Sequence, residues 1–292
     1  MHVKKTLQEL TFKDNFMFAA VMMDKENAKG VIELALGIEV DHIEVSYEKS
    51  IVYNPEYKGI RLDVFAKDAD NTCYCVEMQV ANKKIKKRAR YYHSQIDMDL
   101  LIAGCEYENL PDSYVIFICD YDPIGLKKYK YAICQKLAED NNYAYEDGIH
   151  TVFLSTVGQN EDEVSKELVS FLNYVSAGNV SRECEDTFVS RLQKSVEKIK
   201  YDREMGRRYM LFEEMMRDEF KAGKQEGLQE GELKGRLQSI IDIISDLAPI
   251  SAELKQRILS IQDSEAASKL IKGAVNASTI SEFEELLNSM NL

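Results

Sequence analysis

Residues 61–80 read RLDVFAKDADNTCYCVEMQV. Two apolar runs flank KDADNTC, the pattern of two strands joined as a hairpin. Alternation in the first run puts Ile60, Leu62, Val64 and Ala66 on one face and Asp63 on the other, beside Arg61 and Phe65. In the second run Val76, Met78 and Val80 share a face, and Glu77 and Gln79 share its opposite. Counting back from the turn sets Asp63 across the ladder from Glu77, within a residue of register. Acids placed in such apolar strands cost several kcal/mol if buried without compensation.

Two carboxylates that converge repel, and one takes up a proton unless a cation lies between them. A divalent, oxygen-seeking ion meets that need. Two carboxylates, a backbone carbonyl and waters suit octahedral Mg2+ or Mn2+. Such an ion on a phosphate-containing substrate would polarise a phosphoryl oxygen and lower the pKa of a water. Gln79, two residues beyond Glu77 on the same face, is placed to orient that water. The same residues also fit an exposed hairpin face whose acids pair with Arg61 or Lys67, and spacing alone leaves both readings open.

The rest of the chain limits the context. Its 292 residues suffice for a large core with an appendage. A content of 45% apolar and 30% charged residues places it among globular rather than disordered chains. No apolar stretch approaches the roughly 18 residues of a membrane-spanning helix. The start, MHVKKTLQELTFKDNF, lacks the apolar core of a secretion signal. The cysteines at 73, 75, 105, 119, 134 and 184 sit mostly in apolar segments, as reduced thiols of a cytoplasmic protein do. The histidines, at 2, 42, 93 and 150, make no zinc spacing. A net charge of −13 argues against a generally basic surface, yet KKIKKRAR (83–90) packs six basic residues into eight positions directly after the Glu77–Gln79 strand.

Along the chain, TFKDNFMFAAVMMDKENAKGVIELALG is helical by pattern, with Thr11 as N-cap, Asp14 three positions on and Gly37 as terminator. Residues 42–80 form three strands in a meander, with turn signals at Asn54-Pro55 and at 68–71. Helix returns over about 83–105, strands follow at 113–122 and 150–157, and a closing helix ends near Gly178. The expected fold is therefore α/β, a mixed sheet flanked by helices over residues 1–178. Residues 179–245 read as a long charged helical segment with glycines at 223, 227, 231 and 235, suited either to self-association through 181–244 or to a hinge. Residues 246–292 read as a small helical region of two or three short helices.

LDVFAKDADNTCYCVEMQV resembles the catalytic hairpin of the PD-(D/E)XK nuclease superfamily, most closely the branch of nuclease family transposases, or recombination-promoting nucleases. TFKDNFMF is similar to that branch's opening helix, KRARYYHSQI to its helix after the hairpin, and EGLQEGELKG to its glycine-repeat helix. The resemblance spans roughly residues 10–240. It implies a restriction-endonuclease-like core that hydrolyses DNA phosphodiesters with Mg2+ (or Mn2+). It implies Asp63 and Glu77 as metal ligands, with Gln79 in the position the superfamily gives to lysine. Leu62, not proline, precedes Asp63. A neutral amide cannot supply the charge of an ammonium, so the substitution leaves more electrostatic work to the metal.

Around the site, Lys83, Lys84, Lys86, Lys87, Arg88 and Arg90 are candidate phosphate contacts, with Arg88 and Tyr91 preferred, Gln95 next, and Tyr92 equally suited to the core. A solvated helix face is the plainer explanation of the same residues. Asp14 and Glu33 are candidate additional acids. His93 is either a proton shuttle or structural, and Lys58 and Arg61 are further candidates for DNA contact. Three functions compete: a Mg2+-dependent DNA endonuclease of recombination or transposition, a nuclease-fold nucleic-acid-binding module without the chemistry, and a helical self-association protein.

Overall fold

A computed structural model describes residues 5–51, 59–140, 142–179 and 186–290. The Asn54-Pro55 turn signal, Lys58 and Cys184 lie outside these. The described chain forms two compact units, Met1–Tyr209 and Met210–Leu292.

The first unit holds a six-stranded mixed sheet in the order β1-β2-β3-β4-β6-β5. The predicted meander is present as β1 (Ile43–Ile51), β2 (Ile60–Asp68) and β3 (Cys73–Gln79), successive antiparallel neighbours. Its second turn is built by Asp68, whose carboxylate accepts the Asp70 and Thr72 amides while Asn71 takes a positive φ of 65°. β4 (Ser113–Cys119) and β6 (Ile149–Ser155) run parallel to β3. β5 (Lys130–Ile133) pairs antiparallel with β6 at the edge. The sequence reading passed over β5, because four residues are too few to show a period.

Joining β3 to parallel β4 requires a crossover, and α3 (Lys86–Leu100) provides it. Its inward residues Ile85, Ala89, Tyr92 and Ile96 recur at helical spacing and pack on Phe65, Cys75, Val115, Phe117 and Phe153. Leu62 joins the same cluster as Phe65, three residues on, so strict alternation does not hold through Asp63. The alternate strand residues Val64, Val76, Met78, Ile116 and Ile118 are buried as well. α1 and α2 contact β1, β2 and β6 and cover that face. β3 is thus buried along its whole length, the environment of a central strand with helices on both sides.

The N-terminal helical stretch is two helices, α1 (Asn15–Met22) and α2 (Lys25–Leu36), because Asp24 re-caps the chain by accepting the Glu26 and Asn27 amides. Asp14, not Thr11, occupies the first N-cap, and Thr11 donates its amide and hydroxyl back to the Asp14 carboxylate. Gly37 ends α2 in the left-handed region, φ 77°. α4 (Lys166–Ala177) ends at Gly178 as read from the sequence. α5 (Thr187–Tyr201) then packs on α1, α2 and α4 through Val189, Leu192 and Val196. The first unit therefore extends beyond the Gly178 boundary drawn from composition, because a charge-rich helix can still carry a narrow apolar stripe.

In the second unit, Leu237, Ile240, Ile241 and Ile244 of α6 (Arg203–Leu247) form a core with α7 (Ala252–Leu259), α8 (Ser264–Asn276) and α9 (Ile280–Ser289). Ser251, Asp263 and Thr279 cap the three short helices. No helix among the described residues is long and apolar enough to cross a membrane.

The docking of α5 is testable at Gly30, where an added Cβ would run into the Phe188 ring. Gly30→Ala is expected to destabilise the protein by about 1–3 kcal/mol, the usual cost of overpacking, measured by urea unfolding.

Candidate active site

The β2–β3 register pairs Val64 with Val76, Phe65 with Cys75, Ala66 with Tyr74 and Lys67 with Cys73. Continued by one step it sets Asp63 opposite Glu77, as counted from the turn. The backbone ladder gives way there to side chains. The Asp63 amide donates to Glu77 Oε1 at 3.0 Å, and the Met78 amide donates to Asp63 Oδ2 at 3.3 Å. The two carboxylates replace ladder acceptors, and in doing so they are fixed at the point where the strands separate.

Glu77 is completely buried, on the α3 side of the central strand. Its environment comes from α3 as much as from the sheet. Arg88 Nη2 lies 2.5 Å from Glu77 Oε2, Arg88 Nη1 donates to Gln79 Oε1 at 3.2 Å, and Arg88 Nε donates to the Tyr92 hydroxyl at 2.7 Å. That hydroxyl donates in turn to Glu77 Oε2 at 3.4 Å. The Gln79 amide nitrogen is engaged by the Met78 carbonyl at 2.9 Å, so its oxygen faces the guanidinium.

Burial pushes the Glu77 carboxyl up to about 8, the neighbouring Asp63 charge adds to the rise, and Arg88 opposes it. The guanidinium, its side chain a third exposed, recovers only part of what burial costs. Arg88 itself is pushed up: burial works against its charge, but Glu77, Tyr92 and Asp63 together outweigh burial. Cys75, whose Sγ lies 3.8 Å from Glu77 Oε1, is held well above the ordinary thiol range by burial first and by Glu77 next.

The other candidates divide by location. Lys83, Lys84, Lys86, Lys87 and Arg90 are exposed. The Tyr121 hydroxyl pins the start of this basic run, accepting the Lys83 amide and donating to the Lys83 carbonyl. Tyr91 is half-buried against the α3 core, while Gln95 is buried with its amide directed at Met98 Sδ. Arg61 is exposed. His93 is buried between Ser113 Oγ at 2.8 Å and Thr151 Oγ1 at 2.9 Å, and burial lowers its pKa to about 4. It is therefore a neutral, structural side chain.

Asp14 takes bonds from Thr11 and, at 2.7 Å, from Lys5. Burial would raise its pKa, but the Lys5 and Thr11 bonds hold it below the ordinary value. Glu33 Oε1 accepts the Val40 amide at 3.0 Å and stands 3.8 Å from Lys29. Both acids thus have local work.

Sequence reasoning assigned Arg88 to an incoming phosphate and missed its bonds to Glu77 and Gln79. The signal was available in part, since Arg88 and Tyr92 are one helical turn apart.

A mixed sheet that brings an aspartate and an E-x-Q pair together on adjacent strands, with a helix crossing over them, defines the restriction-endonuclease-like class of α/β folds. The family model for PD-(D/E)XK nuclease family transposases matches residues 13–225, and the chain belongs to that family. No curated protein and no solved structure matches the chain.

The Glu77 shift has a thermodynamic consequence in the absence of divalent ions. Its folded pKa of about 8 exceeds the ordinary 4.5, so its contribution to stability is full below about 4.5 and is lost as pH rises to about 8. The unfolding midpoint of metal-free protein should fall over this window, and Glu77→Gln should flatten the dependence, read by thermal melts across pH.

Proposed function

We propose that this protein is a divalent-metal-dependent DNA endonuclease that hydrolyses phosphodiester bonds in recombination or transposition. The observation that carries the reading is the Asp63–Glu77 pair, anchored by amide bonds across the separating ends of β2 and β3. The family supports a nuclease or transposase-related role.

The residues fit Mg2+ or Mn2+. They offer hard carboxylate oxygens at a place that already attracts a cation, the Arg88 guanidinium. Among the described residues no group of three or more His, Cys, Asp or Glu gathers. Such a donor set suits an ion that is content with one or two carboxylates plus water and phosphate, and not a closed zinc cage. Asp63 and Glu77 would hold the ion. Bound there, it would polarise a phosphoryl oxygen and make an attacking water more acidic.

The chain's own residues supply the rest. Lys83, Lys84, Lys86, Lys87 and Arg90, exposed at the start of α3 and anchored through Tyr121, neutralise backbone phosphates beside the site. The amide end of α3 adds a favourable dipole for anions. Gln79 orients the polar groups beside Glu77. Asp14 and Glu33 remain outside the reacting set.

A second reading concerns assembly. Along α6, Met210, Leu211, Phe220 and Leu228 are each more than 60% exposed, and a Cβ at Gly223, Gly227, Gly231 or Gly235 would meet nothing within 4 Å. These exposed apolar side chains, spread around the helix, favour self-association of the chain through α6. Phe220→Glu with Leu228→Glu should convert a dimer to monomer in sedimentation experiments. A full-length chain that sediments as a monomer rejects this reading.

The nuclease reading predicts Mg2+- or Mn2+-dependent nicking of supercoiled plasmid by wild type. Asp63→Ala and Glu77→Ala should reduce nicking to background while leaving the circular dichroism spectrum intact. Asp63→Ala cutting as well as wild type would refute the assignment. RNA and single-stranded DNA run in parallel identify the substrate. Changing Lys83, Lys84 and Lys87 to Gln should lower the slope of log affinity against log salt by about 0.9 for each residue that contacts a phosphate of duplex DNA.

A further inference from the structure

We propose that Arg88 is the working cation of this site, supplying from helix α3 the positive charge that a lysine at position 79 would otherwise bring. The inference rests on the nuclease reading and deepens it. Gln79 then serves as the docking point of Arg88, and its water-orienting role is secondary.

Three observations converge on this assignment. First, the fork of Arg88 is spread over three acceptors, Glu77 Oε2, Gln79 Oε1 and the Tyr92 hydroxyl, so its position is fixed by both members of the E-x-Q pair. Second, the Gln79 amide is locked by its own bond to the Met78 carbonyl, which leaves only its oxygen to face the site. An acceptor in that orientation holds a guanidinium and cannot imitate an ammonium. Third, the guanidinium lies over the Tyr92 ring at 4.9 Å and within 5.8 Å of the Phe117 ring, surfaces that suit a planar cation better than a lysine.

The neighbouring basic residues are placed for other work. Lys83, Lys84, Lys86, Lys87 and Arg90 are exposed, and Lys13 is bonded to Asp120 and the Ser176 carbonyl. Arg88 sits in the first turn of α3 and is a third exposed, so its long side chain can turn to an adjacent phosphate without movement of the helix. Before an ion binds, Arg88 is held on Glu77 and Gln79. With that carboxylate engaged by an ion, the Arg88 guanidinium would be free to turn to the negative charge that develops on the phosphate in the transition state.

The competing role is structural, a clamp that merely orients Glu77. The two roles differ in the sign of one measurement. Mn2+ binding is measured with full-length protein and no DNA, and affinities are corrected for the proton that Glu77 releases by calorimetry in buffers of different ionisation enthalpy. Arg88→Gln should then bind Mn2+ several-fold more tightly, because a competing positive charge has gone. A clamp predicts weaker Mn2+ binding, and that result overturns the proposal. Arg88→Gln should also lose about 100-fold or more in cleavage rate, the usual cost of removing one donor to a developing oxyanion.

Gln79→Lys in the Arg88→Gln background returns a cation beside Glu77 and should recover cleavage to within about tenfold of wild type. This double variant carries the test even if Arg88→Gln alone unfolds, as read from its melting curve. A double variant that is folded and binds Mn2+ but stays inactive, while wild type cuts, overturns the role of Arg88 and leaves the nuclease reading standing. A wild type that cuts no nucleic acid with any divalent ion overturns both.

Discussion

The organising constraint of this protein is a carboxylate held fully buried in the central strand of its sheet, next to a second carboxylate. Glu77 has no access to water, and its cost is offset by the Asp63 amide, the Arg88 fork and the Tyr92 hydroxyl. Each of these comes from a different place: the neighbouring strand, the first turn of the crossover helix and a site one turn further on. The sheet register, the position of α3 and the packing of Tyr92 on Phe117 must all be correct for that one side chain to be tolerated. A chain selected only for stability would place an apolar residue there. Keeping an acid at this cost is what functional sites do.

The crossover helix serves two surfaces at once. Its inward stripe of Ala89, Tyr92 and Ile96 builds the core under the sheet, and its outward Lys86, Lys87 and Arg90 form a basic ridge. Arg88 lies on the boundary between them, which is why it can reach Glu77 and still touch solvent. The net charge of −13 is compatible with binding an anionic polymer because this ridge is local, and local potential decides association. A few of the acids elsewhere stand in exposed i,i+4 pairs, such as Glu204–Arg208 and Glu230–Lys234.

In the proposed mechanism the glutamine at position 79 is the feature on which the chemistry turns. An amide there is not simply a weaker lysine. Its oxygen is an acceptor, and the acceptor is filled by an arginine from another element. A charge absent from the strand is thereby present in the site, brought by the helix. The family match rests on the pattern of residues along the chain; the electrostatics depend on which side chains the fold brings into contact.

Much of this was written in the sequence. The Asp68–Asn71 turn set the register by counting, so Asp63 and Glu77 were legible as a pair even though the alternation breaks at Asp63. Apolar spacing likewise revealed α3, α4 and short C-terminal helices, and Gly178 the end of α4, since those signals are local. Three things were not legible: the four-residue edge strand β5, the attachment of α5 to the first unit, and the bond from Arg88 to Glu77 and Gln79. Each is a contact between segments far apart along the chain or on different elements, with no period to announce it. The sequence determined which residues carry charge and which elements they ride on; the tertiary structure alone decided which charges meet, because burial and proximity are properties of the packed fold.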